Sequence, residues 1–305
     1  MDYEFKFQFK IYQKHFKQPL RTSHGVWQVR EGIIITLTDS AGIIGRGEIA
    51  PLPWFGSETL AQALAFCRQQ KETIDRQSIY AIPDRLPCCQ FALESAYLAL
   101  TQPFKSDRSQ SNFCYLLPAG KKALSAWKDF DRENAVSTFK WKIGVLPLTE
   151  EVEILQQLNH DLPSKVKLRL DANGGLTPSQ AEQLLLVTDN LSGIEFIEQP
   201  LPPENFIQML QLSQEHSTKL ALDESVASFK QLKYVHARGW QGIYVIKAAI
   251  AGFSSRLVKF CQDNNLDLVF SSVLETSVAR QAVLNLSQKL NHPRALGFGV
   301  QHLYH

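Results

Sequence analysis

The chain has 305 residues, 44% of them apolar, with 32 basic and 30 acidic side chains and a net charge of +2. That is enough to bury a substantial core in one large barrel or in two domains. The near-balance of charge excludes a global attraction to nucleic acid or an anionic membrane, and no apolar run approaches the roughly 20 residues that span a bilayer.

The N-terminus alternates strictly: Tyr3, Phe5, Phe7, Phe9 and Ile11 face one way, with Asp2, Glu4, Lys6, Gln8 and Lys10 opposite. This predicts a half-buried strand. A polar stretch, KQPLRTSHG, is expected to break it before a second strand over Ile33–Leu37, a turn at Asp39–Gly42 and a return through Ile43–Glu48, which together read as an antiparallel meander. After APLPWFG, Ser57 is placed to cap a helix whose Leu60, Leu64 and Cys67 share a face, and a second helix is expected over Phe91–Leu100. Residues 1–108 thus read as an α+β capping or specificity domain, ended by the polar linker Lys105–Ser111.

From about residue 109 the pattern changes to alternating strand and helix. Strands are predicted at Phe113–Leu117, Thr138–Val145, Lys167–Leu170, Ile194–Ile197, Lys219–Leu222, Gly242–Ile246, Leu266–Phe270 and Ala295–Phe298. Between them, Thr177-Pro178-Ser179-Gln180 supplies an N-cap, a proline at the first helical position and a capping-box glutamine. Eight strands alternating with helices predict an α/β fold, a modified TIM (β/α) barrel over residues 109–305, with the C-terminal tail returning to the capping domain.

At the ends of successive strands stand Lys142 (with Lys140), Asp171, Glu198, Asp223 and Lys247, spaced by about one strand-plus-helix unit of 30 residues. A barrel gathers such strand ends around one mouth. Three carboxylates there suit a hard divalent cation, Mg²⁺ or Mn²⁺, which can in turn face a substrate carboxylate. Lys140 and Lys142 leave the strand on one face, and burial beside a second cation is expected to lower a lysine's pKa toward that of a neutral base. Each acid alone is more simply a turn or loop residue, and K-x-K alone a solvated edge; the joint pattern at one period argues otherwise. One lysine removing a proton α to a carboxylate, with a cation and the other lysine offsetting the enediolate charge, is the chemistry this set suits. The five cysteines, odd in number and without C-x-x-C spacing or a signal-peptide pattern, point to a reduced, cytoplasmic setting, and the eight histidines show no ligand spacing.

The K-W-K, D-A-N, E-Q-P, D-E-S and I-K motifs, in this order behind a unit containing G-E-I-A-P-L-P, resemble the enolase superfamily, in the branch with a lysine on each face of the active site. The resemblance covers nearly the whole chain. With the W-F-G-S-E-T-L continuation and Ser271–Ser277, the chain is most similar to the o-succinylbenzoate synthases of menaquinone or phylloquinone biosynthesis. That resemblance implies that Asp171, Glu198 and Asp223 bind Mg²⁺ and that Lys142 is the base, returning its proton to a departing hydroxyl. It also implies that Lys247 is a cation on the opposite ring face and that Lys140 tunes Lys142 and attracts the carboxylate of a small dicarboxylate substrate. Arg169, Asn173, Ser271 and Ser272, with Thr22, Ser23 and His24 of the first loop and Leu52–Phe55 of the next, are candidate substrate contacts or mouth-closing residues. The same lysines and acids would serve an N-acylamino acid racemase, a dipeptide epimerase or a muconate-type cycloisomerase; Glu275 is the one candidate anchor for a free α-amino group. A non-catalytic barrel has no physical need for the buried lysines.

Overall fold

A computed structural model describes residues 4–22, 25–102, 112–130, 136–290, 293–300 and 303–304. The expected linker Lys105–Ser111 lies outside them. Strands β1 (Phe5–Thr22), β2 (Gly25–Thr38), β3 (Ile44–Ile49) and β4 (Thr73–Ile74) form an antiparallel sheet in the order β3-β2-β1-β4. The turn between β2 and β3 closes on Asp39, whose Oδ1 accepts from the Ala41 and Ile43 N–H groups, while Gly42 takes φ +80. Phe5 and Phe7 are buried as the alternation requires. The polar break expected at Lys17–Gly25 does not interrupt the strand as far as Thr22, because β1 continues to Thr22 and pairs with β2 down to Thr22↔Gly25. Backbone pairing carries most of this arm, with Phe16 buried among its few packed side chains; the rest face mostly water, so polarity gives no signal. Proline 19, which lacks an N–H, sits where the register slips between His15 and Leu20.

Three helices complete the unit: α1 (Leu60–Gln69), α2 (Arg76–Tyr80) and α3 (Pro87–Thr101). The cap of α1 is Thr59, in a capping box with Gln62, and not Ser57; the Ser57 hydroxyl instead accepts from the Leu52 N–H at 2.8 Å. Helix α3 lies against β3 with its backbone in contact. A Cβ on Gly47 would collide with the Ala92 carbonyl, and one on Gly45 with that of Ala96.

Residues from Phe113 onward form the barrel. Its strands are β5 (Phe113–Leu116), β6 (Thr138–Lys142), β7 (Lys167–Asp171), β8 (Ile194–Glu198), β9 (Leu220–Leu222), β10 (Ile243–Ile246), β11 (Leu268–Phe270) and β12 (Leu296–Gly299). Helices α4 (Lys122–Lys128), α5 (Leu148–Asp161), α6 (Pro178–Thr188), α7 (Phe206–Glu215), α8 (Phe229–Ala237), α9 (Ser254–Asp263) and α10 (Ser277–Leu290) follow β5 to β11 in turn. The parallel order is β11-β10-β9-β8-β7-β6-β5-β12, and a Ser271↔Gly297 bridge brings its two ends together. The Thr177–Gln180 capping box forms as read from the sequence. Phe196, Ala221, Ile243, Val245 and Val269 fill the interior.

The two units are joined by buried carboxylates at helix starts, where backbone N–H groups lack intrahelical partners. Glu94 of α3 accepts from the Ser254 hydroxyl at 2.6 Å and the Ser255 N–H at 3.1 Å at the start of α9. Glu48 of β3 accepts from the Thr276 N–H at 2.8 Å and the Ala279 N–H at 3.0 Å at the start of α10. Gly47→Ala, which forces α3 off the sheet, should lower unfolding stability by about 1–3 kcal/mol, read as a lower urea midpoint at unchanged slope.

Candidate active site

Strand register assembles the site. β6 pairs with β7 so that Lys142 lies opposite Asp171, and β7 with β8 so that Asp171 lies opposite Glu198. Asp223 and Lys247 directly follow β9 and β10. Side chains alternate along β6: Trp141 is fully buried on one face, while Lys140 and Lys142 reach a cavity of about 210 Å³ on the other. Asp171, Asn173, Asp223, Glu224 and Lys247 also line it. Lys142 and Lys247 stand across the barrel from one another: β7, β8 and β9 separate their strands in one direction, and β5, β12 and β11 in the other.

The carboxylates are nearly inaccessible to water, at 2–4% exposure, and are neutralised by lysines. Lys140 Nζ lies 2.7 Å from both Asp171 Oδ2 and Glu198 Oε1, and Lys247 Nζ donates to Asp223 Oδ1. Burial opposes the charge on Lys140, but Asp171, Glu198 and Asp223 outweigh it and hold its pKa well above the ordinary lysine value. The lowered pKa expected from burial and a cationic neighbour is therefore reversed at this residue. Burial and the Asp171 charge push Glu198 up to about 7. Burial pushes Asp223 up to about 6, against the pull of Lys247. Asp171 is raised by burial but falls below its usual value because Lys140 pairs with it. Among the described residues no carboxylate lies within ion-pair distance of Lys142 Nζ.

Two sets of sequence candidates separate here. Ser271 and Ser272 line the cavity, as does Asn173, which donates from Nδ2 to Glu224 Oε1 at 3.1 Å. Arg169 does not line it. It lies deeper in the barrel, over the Phe196 ring at 4.8 Å, with Nε donating to Glu195 Oε2 at 2.7 Å. The register slips between Leu168 and Arg169, leaving Glu195 as the extra residue of β8, and such a bulge re-aims a side chain. Glu195 also accepts from Arg294 Nη1 at 2.6 Å, and Arg294 holds Asp267. Arg169 therefore belongs to a charged barrel floor and not to the substrate contacts. Ser23 and His24 lie outside the described residues, and of Thr22 only the backbone, at the end of β1, is described.

From the loop after β3, Leu52, Trp54 and Phe55 form an apolar rim together with Trp27. The Trp27 and Trp54 rings meet edge to face at 4.8 Å, and Lys247 Nζ lies 4.2 Å over the Phe55 ring. Trp27 has no signal in the sequence, because it sits on the arm of β2 that periodicity leaves unread. Glu224 is the other residue missed. A 3-10 turn directly after Asp223 swings it inward, and its Oε2 is buried without a partner among the described residues; the D-E pair in LALDES is its only mark.

The donor set accepts a hard divalent cation. Asp171, Glu198 and Asp223 offer only oxygens, from neighbouring strand ends, which is the donor set such an ion takes. Among the described residues no three potential ligands are already gathered into a cage; Lys140 and Lys247 take up the acids instead.

Eight parallel strands with lysines on opposite walls, three acids between them and an α+β unit over the mouth define the enolase class of barrel. Residues 124–303 match the family described as enolase C-terminal domain-like, and residues 8–100 match the MenC N-terminal domain. The o-succinylbenzoate synthase of Thermosynechococcus vestitus is 39% identical over 97% of this chain and 92% of its own length. The structure of the Thermosynechococcus elongatus o-succinylbenzoate synthase, complexed with Mg in the active site, superposes with a TM-score of 0.92 at 38% identity over 98% of this chain and 94% of that one. A dipeptide epimerase from Methylococcus capsulatus shares the fold at TM-score 0.83 and 20% identity, over 99% and 92% of the two chains. The chain belongs to the o-succinylbenzoate synthase family of the enolase superfamily. No described helix is long and apolar enough to cross a membrane.

Glu275 does not line the cavity. It is buried, accepts from the Ser272 hydroxyl at 2.9 Å and the Val273 N–H at 2.7 Å, and burial pushes its pKa from 4.5 up to about 7. The folded chain thus holds this proton more tightly than the unfolded one, so the contribution is complete below pH 4.5 and lost as pH rises through 7. Between pH 5 and 8 the wild type should lose on the order of 1–3 kcal/mol more stability than Glu275→Gln, measured by urea unfolding across that range.

Proposed function

We propose that the chain dehydrates 2-succinyl-6-hydroxy-2,4-cyclohexadiene-1-carboxylate to 2-succinylbenzoate, the aromatic precursor of menaquinone and phylloquinone, with Lys142 as base and Lys247 as the cation on the opposite ring face. The observation that carries the assignment of roles is the placement of these two lysines on diametrically opposed strands, with Asp171, Glu198 and Asp223 between them.

Lys142, free of carboxylate partners among the described residues, takes the proton from the ring carbon α to the carboxylate. The electron pair of that C–H bond forms a double bond to the carboxylate carbon, and the C=O π pair moves onto oxygen to give the enediolate. Lys247, braced by Asp223 and the Phe55 ring, presents positive charge to the opposite face of the ring. The pair then forms the ring double bond as the neighbouring C–O bond breaks, and Lys142 returns its proton to the departing hydroxyl, which leaves as water. One residue on one face serves both steps, so the elimination is syn. Asp171, Glu198 and Asp223 would hold Mg²⁺, or Mn²⁺ with its similar oxygen preference, which when bound supplies positive charge against the substrate carboxylate. Lys140, locked between Asp171 and Glu198, holds Asp171 below its usual pKa and places a second ammonium beneath Lys142. Trp27, Trp54 and Phe55 exclude water above the ring. The epimerase alternative needs an acidic anchor for a free α-amino group, and the inward turn of Glu275 away from the cavity removes the one expected candidate.

Purified protein with Mg²⁺ should consume the cyclohexadiene, followed by loss of its absorbance, and chelator should abolish turnover. Lys142→Ala and Lys247→Ala should each lower kcat by roughly 10³-fold or more with an unchanged circular dichroism spectrum. Absence of dehydration, with α-proton exchange on an N-succinyl amino acid still visible, would move the function to the racemase branch.

A further inference from the structure

The loop after β11 holds a leucine in a backbone conformation that suits glycine. Leu274 has φ +62 and lines the cavity beside Ser272 and Val273. In that region the Cβ of an L-residue crowds the following carbonyl, so a leucine stays there only where its surroundings fix it. Hydrogen bonds hold it on both sides. Its N–H donates to Ser272 Oγ at 2.8 Å, and its carbonyl accepts from the Tyr304 hydroxyl at 2.6 Å.

Tyr304 belongs to the C-terminal tail, and the N-terminal hairpin sets its position. It forms an antiparallel bridge with Phe16 of β1, its ring stacks on the Phe16 ring at 4.9 Å, and Lys14 Nζ lies 3.9 Å over its face. The phenol is buried, and its O–H is directed at one carbonyl. A continuous series of contacts therefore runs from the arm of β1, through Tyr304, to the wall of the active-site cavity.

We propose that Tyr304 is a positioning residue for substrate specificity: its hydroxyl fixes Leu274 in the left-handed conformation that completes the cavity wall beside Ser272 and Val273, against which a cyclic dicarboxylate packs. The inference rests on the assignment of this cavity as the substrate site. Tyr304 acts through Leu274 and touches no reacting atom, so its loss weakens binding and leaves the lysine chemistry intact.

Tyr304→Phe keeps the ring stack and removes only the hydroxyl. It should raise KM for the cyclohexadiene by roughly fivefold and weaken 2-succinylbenzoate binding by the same factor, read by quenching of tryptophan fluorescence, with kcat within about twofold of wild type. Leu274→Gly removes both the strain and the side chain, so in that background Tyr304→Phe should change KM and product affinity by less than about twofold. Unchanged KM and product affinity in the single variant would overturn the proposal. So would an equal loss in both backgrounds, which would mark Tyr304 as general support for the tail. A wild-type protein that binds 2-succinylbenzoate but does not dehydrate the cyclohexadiene would instead overturn the assigned reaction and leave the latch to be judged by binding alone.

Discussion

Everything at the mouth of this barrel depends on Lys140 standing between Asp171 and Glu198. Three carboxylates withdrawn from water repel one another and lose their hydration, and such a set folds only if cations come with it. Strand register delivers them: β6 lies beside β7 and β7 beside β8, so the ammonium reaches one carboxylate on each of the next two strands. Lys247 does the same for Asp223 from the other side. Lys142, two residues beyond Lys140 on the same face, is left without an acidic partner among the described residues. The pairing that stabilises the site thus also leaves one lysine of the pair on β6 facing the cavity without a carboxylate partner among the described residues.

A charged, open mouth would remain full of water, and the N-terminal unit prevents that. Its apolar rim reaches the cavity from β2 and from the loop after β3, segments far apart in sequence and joined by the contact of Trp27 with Trp54. The unit is held in place by Glu48 and Glu94, which satisfy the exposed N–H groups at the starts of α10 and α9. These are charge-assisted bonds in buried positions, each engaging several donors at once. Removing either unit would leave both the carboxylates and the helix ends without partners, so cap and barrel depend on each other for polar satisfaction as well as for apolar contact.

The barrel and its acid and lysine series were legible because both rest on period. Alternation within strands and a strand-plus-helix interval between them are set by backbone geometry, and they persist in a single sequence. What stayed hidden has no period. The arm of β1 beyond Ile11 is a two-stranded ribbon with both faces largely exposed, so its polar residues look like a loop. Arg169 shares a face with Asp171 and by alternation belongs at the site; the bulge at Glu195, invisible in the sequence, supplies the partner that keeps it in the floor. What holds the pKa of Lys140 high is equally hidden: the K-x-K spacing shows only the neighbouring cation, while the two nearer carboxylates come from other strands.

Arg169 and Asp171 illustrate why charge inside a barrel is not in itself a mark of function. They lie two residues apart on one face of β7, both are buried, and both are ion-paired. The floor pairs Arg169 and Arg294 with Glu195 and Asp267 at 2.6–2.7 Å, cation against anion, away from the cavity. At the mouth, Asp171, Glu198, Asp223 and Glu224 face Lys140 and Lys247, the remaining positive charge being Lys142 at the cavity wall. The floor's charges are taken up by one another, and none of the four lines the cavity. At the mouth the acids stand beside Lys142, which has no carboxylate partner among the described residues; under the proposed function the same few residues would hold a divalent ion, attract a carboxylate and remove the proton next to it.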